Sequence, residues 1–152
     1  MIRHIFPVKR SSDFGIARIV MKRVITFGTF DLLHPGHEYY LHQARSYGDF
    51  VITIVARDET VEKLKNKKPS HTQEQRVQAL IDSGLCDQVF LGKPDHYYDR
   101  LLELQPDVIC LWYDQHHLVP GLEKFLQTHK LDIKIIRIPA FEPHIHKTSL
   151  LR

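Results

Sequence analysis

His34 and His37 flank Pro35 and Gly36, just after the segment Gly28-Thr29-Phe30-Asp31, where an apolar run gives way to a helical pattern. Imidazoles donate to phosphate oxygens and also bind metals, so the spacing leaves an anion clamp and a metal centre both open. A metalloprotease of the H-E-x-x-H type needs both histidines on one helix face. His37-Glu38 begins that pattern, but the next histidine, His42, stands five positions on. A zinc centre needs a third ligand at a recognisable spacing, and none stands out. Phosphate suits the setting, because a helix start offers unpaired backbone N–H groups and a positive dipole end. Gly36 lets a ligand approach the backbone closely.

The elements that must hold these residues follow from hydrophobic periodicity. Residues 24–27 are β-branched and aromatic and read as a strand that Gly28 ends. A helix is predicted from near Pro35, with Tyr40, Ala44 and Tyr47 on one face. Residues 50–56 read as a second, fully buried strand, as in parallel sheets, and residues 63–69 as a polar, basic stretch. Thr72 and Gln75 make a capping box for a helix striped by Val77, Leu80 and Ile81, which Gly84 stops. Strands at 88–91, 108–112 and 133–138 alternate with helices striped by Tyr98, Leu101 and Leu102, closed by Pro106, and by Leu122, Phe125, Leu126 and His129. This alternation predicts a single Rossmann-like α/β domain: a five-stranded parallel sheet with helices on both faces. In the usual order 3-2-1-4-5, ligands bind beyond the carboxyl ends of strands one and four. Residues 29–37 and Tyr113-Asp114-Gln115 occupy those two places.

Composition narrows the partners. A chain of 152 residues with net charge +3 and 26% charged residues is one mildly basic domain. That balance fits anionic small-molecule substrates without calling for nucleic acid, and the lysines accompany no base-reading motif. No apolar run approaches the ~18 residues a membrane span requires. Cys86 and Cys110 form no C-x-x-C unit and read as reduced thiols of a cytoplasmic protein. Residues 1–20 carry Arg3, Lys9, Arg10 and Arg18 against the single acid Asp13. They are expected to be a disordered extension or an upstream start, preceding a domain over 21–152.

The compound string G-T-F-D followed by H-x-G-H, at Gly28 to His37, resembles the signature of the cytidylyltransferase-like nucleotidyltransferases, and the resemblance runs from about Lys22 to Arg152. Within that family the chain is most similar to archaeal-type FAD synthetases (FMN adenylyltransferases), and next to glycerol-3-phosphate cytidylyltransferase. The resemblance implies transfer of a nucleoside monophosphate from ATP or CTP to a phosphorylated acceptor, with FMN favoured, and release of pyrophosphate. It also implies Mg²⁺ or another divalent cation carried with the triphosphate, no metal-ligating residue of the protein, and a homodimer. A non-catalytic nucleotide-binding module of the same fold is the remaining alternative.

Residue roles carry over position by position. His34 and His37 fall on the catalytic histidines, and Thr29 and Phe30 on the nucleotide-binding loop. Past strand two, Lys63 and Lys65 match lysines that meet the phosphates, although a lysine run is also an ordinary solvated loop. Arg57 and Asp58 look like the flavin-type sequence and are expected against the acceptor. Glu74-Gln75-Arg76 matches a family segment, making Arg76 a phosphate-binding or loop-fixing residue. Trp112-Tyr113-Asp114-Gln115 resembles the flavin-type G-Y-D-Q but departs from it at Trp112, where glycine is expected. Trp112 and Tyr113 are expected near the acceptor and Asp114 near the ribose or base, while packing of a strand end is the plainer role for Trp112. The C-terminal Thr148, Ser149 and Arg152 resemble the hydroxyls and arginine of an I-S-S-T-x-I-R motif that binds phosphate, although His146 and Lys147 depart from it. An ordinary polar tail is the alternative there.

Overall fold

A computed structural model describes residues 21–94 and 97–141, with the side chains of Tyr97 and His117 outside that description. The segment 1–20 and the residues Thr148, Ser149 and Arg152 therefore lie outside the described residues. Five parallel strands, β1 (Arg23–Gly28), β2 (Phe50–Val55), β3 (Gln88–Leu91), β4 (Val108–Trp112) and β5 (Lys134–Ile138), form one sheet in the order β3-β2-β1-β4-β5. This is the expected topology, and it puts β1 beside β4 with Val24 opposite Val108 and Thr26 opposite Cys110.

The strands are apolar on both faces because helices cover both. On one side Val24, Val55, Val89 and Cys110 pack with Tyr40, Leu41 and Ala44 of α1 (Pro35–Arg45) and Val77 and Leu80 of α3 (Gln73–Ser83). On the other, Ile25, Phe27, Ile54 and Ile109 meet Leu101 and Leu104 of α4 (Arg100–Leu104) and Leu122 and Leu126 of α5 (Val119–Thr128). Adjacent residues of β1 thus serve opposite cores, the period-two alternation of a strand. Buried polar residues interrupt this at Arg23, Thr26, Thr53 and Gln88, and the Thr26 and Thr53 hydroxyls bond each other at 2.8 Å across the β1–β2 pair.

Local chemistry sets the helix ends. The Thr72 hydroxyl accepts from the Gln75 N–H and the Gln75 side chain from the Thr72 N–H, the expected capping box, and Gly84 closes α3 at φ +69°. Three expectations shift. Tyr47 is exposed rather than part of the α1 stripe, because the helix ends at Arg45 with Ser46 as its cap. In α4 the stripe is Leu101 and Leu104, and Leu102 faces water. The stretch containing Lys63 and Lys65 is helical: α2 (Asp58–Lys65) carries Asp58 and Glu59 in its first turn and both lysines in its last, which suits the helix dipole. Its single buried residue, Val61, left too little apolar periodicity for the helix to be recognised in the sequence.

Cys110 is buried and Cys86 half-buried, both free, and burial pushes the Cys110 thiol up to about 12. Among the described residues no helix is long and apolar enough to cross a membrane.

Tyr40 joins the fold to the site. Its hydroxyl donates to the Cys110 carbonyl at 2.5 Å and accepts from the Phe27 N–H at 3.2 Å, tying α1 to β1 and β4 where they diverge. Tyr40→Phe is expected to lower the unfolding free energy by about 1–2 kcal/mol, measured as a lower urea midpoint at unchanged slope.

Candidate active site

The crevice opens at the carboxyl ends of β1 and β4, where the strand order reverses, and has a volume of about 1280 Å³. Its wall includes Thr29, Asp31, His34, Gly36 and His37 from the β1–α1 connection, Lys63 and Lys65 from α2, and Trp112, Tyr113 and Asp114 after β4.

The two histidines cap their own helix. The Gly36 N–H donates to His34 Nδ1 at 3.0 Å, and the His34 N–H donates to His37 Nδ1 at 3.3 Å. The His37 and Glu38 N–H groups bond the His34 carbonyl at 2.9 and 3.2 Å, and Pro35 has no N–H. The first turn therefore offers fewer unpaired backbone donors than a helix start ordinarily would. What it offers instead are imidazole edges. An Nδ1 that accepts a hydrogen bond carries no proton, so the N–H of each neutral ring is at Nε2.

The rings stack at 3.8 Å with 23° between their planes, His34 exposed and His37 buried. Burial, then the neighbouring His34 and Lys65, push His37 down to about 4, against a smaller opposing pull from Asp31. It is neutral at neutral pH. A Cβ at Gly36 would stand 2.8 Å from the His34 ring, so only glycine permits this arrangement undistorted.

Below the stack, Phe30 (φ 54°) and Leu32 (φ 62°) adopt the left-handed conformation that side chains disfavour. The Phe30 ring is buried against His37 at 5.3 Å and passes so close to Gly28 that a Cβ there would lie 2.6 Å away. Phe30, expected to bind nucleotide, thus uses its ring to support His37. Asp31, to which no role was assigned from the sequence, accepts from the Ser70 and His71 N–H groups at 2.7 and 3.0 Å and anchors the connection between α2 and α3. Its slight burial works to raise its pKa, but these two bonds with Arg76 and His71 hold the carboxyl below its ordinary value.

Arg76 is fully buried and does not line the crevice. It donates to the carbonyls of Thr29, Ala56 and His71 and pairs with Asp58 at 2.7 Å. Of its two expected roles, the geometry supports loop fixing, since all three guanidinium nitrogens are engaged by the protein. Arg57 and Asp58 are not brought to the crevice wall either: Arg57 donates to the Gly92 carbonyl at 2.7 Å, and Asp58 pairs with Arg76 and accepts from the Gln73 N–H. A cation and a carboxylate directly after a strand look like ligand groups in sequence, but here they join neighbouring loops.

Lys63 and Lys65 are exposed on the wall, as are Tyr113 and Asp114. Gln115 is a second residue whose part the sequence did not disclose. It donates to the Phe27 carbonyl and accepts from the Trp112 N–H, both at 2.8 Å, clasping the ends of β1 and β4. Tyr98 also lines the crevice, with its hydroxyl on the Leu118 carbonyl. Among the described residues no group of three or more His, Cys, Asp or Glu side chains could hold a metal.

The doubly wound sheet thus sets paired imidazoles and lysines at its switch point, the place where open α/β sheets bind ligands. The cytidylyltransferase-like family model matches residues 25–152. The chain is 41% identical over 120 residues to the FAD synthase of Methanosarcina acetivorans, covering 79% of this chain and 78% of that one. To the FAD synthase of Thermococcus sibiricus it is 37% identical over 129 residues, covering 84% and 87%. Among solved structures, a lipopolysaccharide core biosynthesis protein from Thermoplasma volcanium superposes with a TM-score of 0.74 at 31% identity, over 80% of this chain and 99% of that one. Pantoate-beta-alanine ligase from Francisella tularensis shares the fold, with a TM-score of 0.59 at 15% identity over 87% and 64% of the two chains. The chain belongs to the cytidylyltransferase-like family and is a nucleotidyltransferase.

Gly36→Ala is expected to keep a native circular-dichroism spectrum yet weaken nucleotide binding at least tenfold in calorimetry, because the added methyl displaces the His34 ring. His37 also makes stability acid-sensitive. Unfolded, it binds a proton near the ordinary value of about 6.5, whereas folded it does so only near 4. Its contribution is therefore whole above about pH 6.5 and falls as the pH drops toward 4. His37→Gln should flatten the unfolding free energy measured across that window.

Proposed function

We propose that this protein transfers the AMP unit of ATP to the phosphate of FMN, forming FAD and pyrophosphate. The observation that carries the acceptor is the 37–41% identity to FAD synthases over most of both chains. The crevice is consistent with it: about 1280 Å³ exceeds a single-ligand pocket, which ordinarily spans about 300–1,000 Å³, and leaves room for two substrates together.

In this reading an oxygen of the FMN phosphate attacks the α-phosphorus of ATP. The new P–O bond forms as the bond from the α-phosphorus to the bridging oxygen breaks, and pyrophosphate leaves with that electron pair. The acceptor is already an anion, so no strong base is required, and catalysis consists of positioning and stabilising charge. His34 and His37 donate from Nε2 to α- and β-phosphate oxygens, with Thr29 beside them. Lys63 and Lys65 neutralise the polyphosphate. Asp114 lies by the ribose or base, and Tyr113 with the exposed side of Trp112 offers aromatic surface to the flavin. Thr148, Ser149 and Arg152 are assigned a phosphate by family resemblance alone. Nucleotidyltransferases of this kind use a divalent cation. The described residues form no cage for one, so we assign Mg²⁺ to the incoming triphosphate, which suits an ion that keeps few protein ligands.

Pyrophosphate release should be rapid with ATP plus FMN and at least a hundredfold slower with CTP plus glycerol 3-phosphate; the reverse preference would make the protein a cytidylyltransferase. Release with neither pair, despite nucleotide binding, would favour a non-catalytic module. His37→Ala should lower kcat by about 10²–10³, the loss typical of one oxyanion donor, and near-normal turnover would remove His37 from the reaction.

A further inference from the structure

Trp112 stands where the flavin-type pattern has glycine, and the acceptor surface does not account for where its ring sits. The indole is half-buried and stacks almost parallel on Tyr40, at 5.5 Å and 8°. Its centroid lies 5.5 Å from the His37 ring and 6.3 Å from that of His34. It covers Gly36 so closely that a Cβ there would be 3.2 Å from Trp112 Cζ2. Its Nε1 is buried and has no hydrogen-bond partner among the described residues, so packing holds the ring in place. Tyr40 in turn is tied to β1 and β4 by its hydroxyl. The strand ends thus hold Tyr40, Tyr40 backs Trp112, and Trp112 closes over the paired imidazoles.

We propose that Trp112 is a positioning residue: its indole roofs the His34–His37 stack, holds the reciprocal Nδ1 bonds in register and keeps water from the inner ring, so that the pair meets a triphosphate as two neutral Nε2–H donors. This deepens the phosphate-transfer reading but concerns the enzyme before any substrate binds. The groups facing His37 are His34 on its own helix, Asp31 on the β1–α1 connection and Lys65 on α2, with Lys63 and Asp114 on the same crevice wall. All but Trp112 remain when the roof is removed. Of the influences that keep His37 unprotonated, burial is the largest, and the roof is what this chain adds to it.

The test is an NMR titration of the His37 ring in the substrate-free enzyme, in wild type, Trp112→Gly and Trp112→Phe. In Trp112→Gly the His37 midpoint should rise by about one unit or more toward 6.5 as water reaches the ring, and long-range ¹H–¹⁵N spectra should lose the pure Nε2–H pattern. Trp112→Phe, which restores a flat apolar cover, should return both toward wild type. Should the glycine variant not fold, Trp112→Ala, which likewise removes the ring, is read in the same way. An unchanged midpoint and unchanged ring nitrogens in the folded variant without a cover over the imidazoles would overturn the proposal. Because no substrate is present, that outcome is separate from a failure of the enzyme to use ATP and FMN.

Discussion

The site depends on two imidazoles accepting backbone hydrogen bonds at Nδ1. Once the Gly36 N–H and the His34 N–H take those positions, several features of the local sequence follow. Each ring must be neutral while the bonds last, because a protonated Nδ1 would turn its own proton toward another donor. Two charged rings at 3.8 Å would also repel. Residue 36 must be glycine to clear the His34 ring. The helix needs no serine or aspartate as a cap, because a ligand-facing side chain already does that work.

A second layer holds this unit at the correct height above the sheet. Phe30 reaches beneath His37 only by way of a left-handed backbone and through the space left by Gly28. That conformation stores roughly 1–3 kcal/mol, which the packing of the ring against Tyr40 and His37 offsets. Arg76 fixes the loops after β1 and β2 together, through the carbonyls of Thr29 and Ala56. A buried guanidinium is costly unless its donors are engaged, and here three carbonyls and Asp58 engage them. Asp31 reaches in the other direction, to the backbone at Ser70 and His71. The β1–α1 connection is thereby fastened to the segment that carries the lysines.

These supports explain what could and could not be read from the sequence. The strands were legible because each is a short apolar run between helical stripes, and a parallel sheet buried on both faces writes that pattern strongly, while their order followed from what is usual for this alternation. The capping box at Thr72 and the stop at Gly84 were legible because their chemistry is local. The histidine pair was legible as a feature of the crevice from its motif, but its bonding was not: that His34 and His37 accept from backbone at Nδ1 depends on ring orientation, which spacing does not encode. Arg57, Asp58 and Arg76 were expected at the site because they match segments of the family. The partners they take instead are distant in sequence: Arg57 meets the Gly92 carbonyl, and only the fold brings Asp58 to Arg76. Gln115 and Asp31 were hidden for the same reason, being polar residues whose partners are distant carbonyls and amides.

The division of labour that results suits phosphoryl chemistry on an acceptor that is already anionic. A charged donor placed deep in the site would have to be desolvated there before the substrate arrived, and burial resists that. His37 avoids the problem by being a neutral N–H held at a fixed angle, costly to protonate in place. Formal positive charge is carried instead by Lys63 and Lys65, which are exposed and hydrated and, in the proposed reaction, meet the polyphosphate. Rigid, neutral groups supply direction, and solvated, charged groups supply attraction. The two properties oppose each other in a single buried cation, and here they are separated, the imidazoles onto the first turn of α1 and the lysines onto the last turn of α2, as the proposed grip on a triphosphate requires.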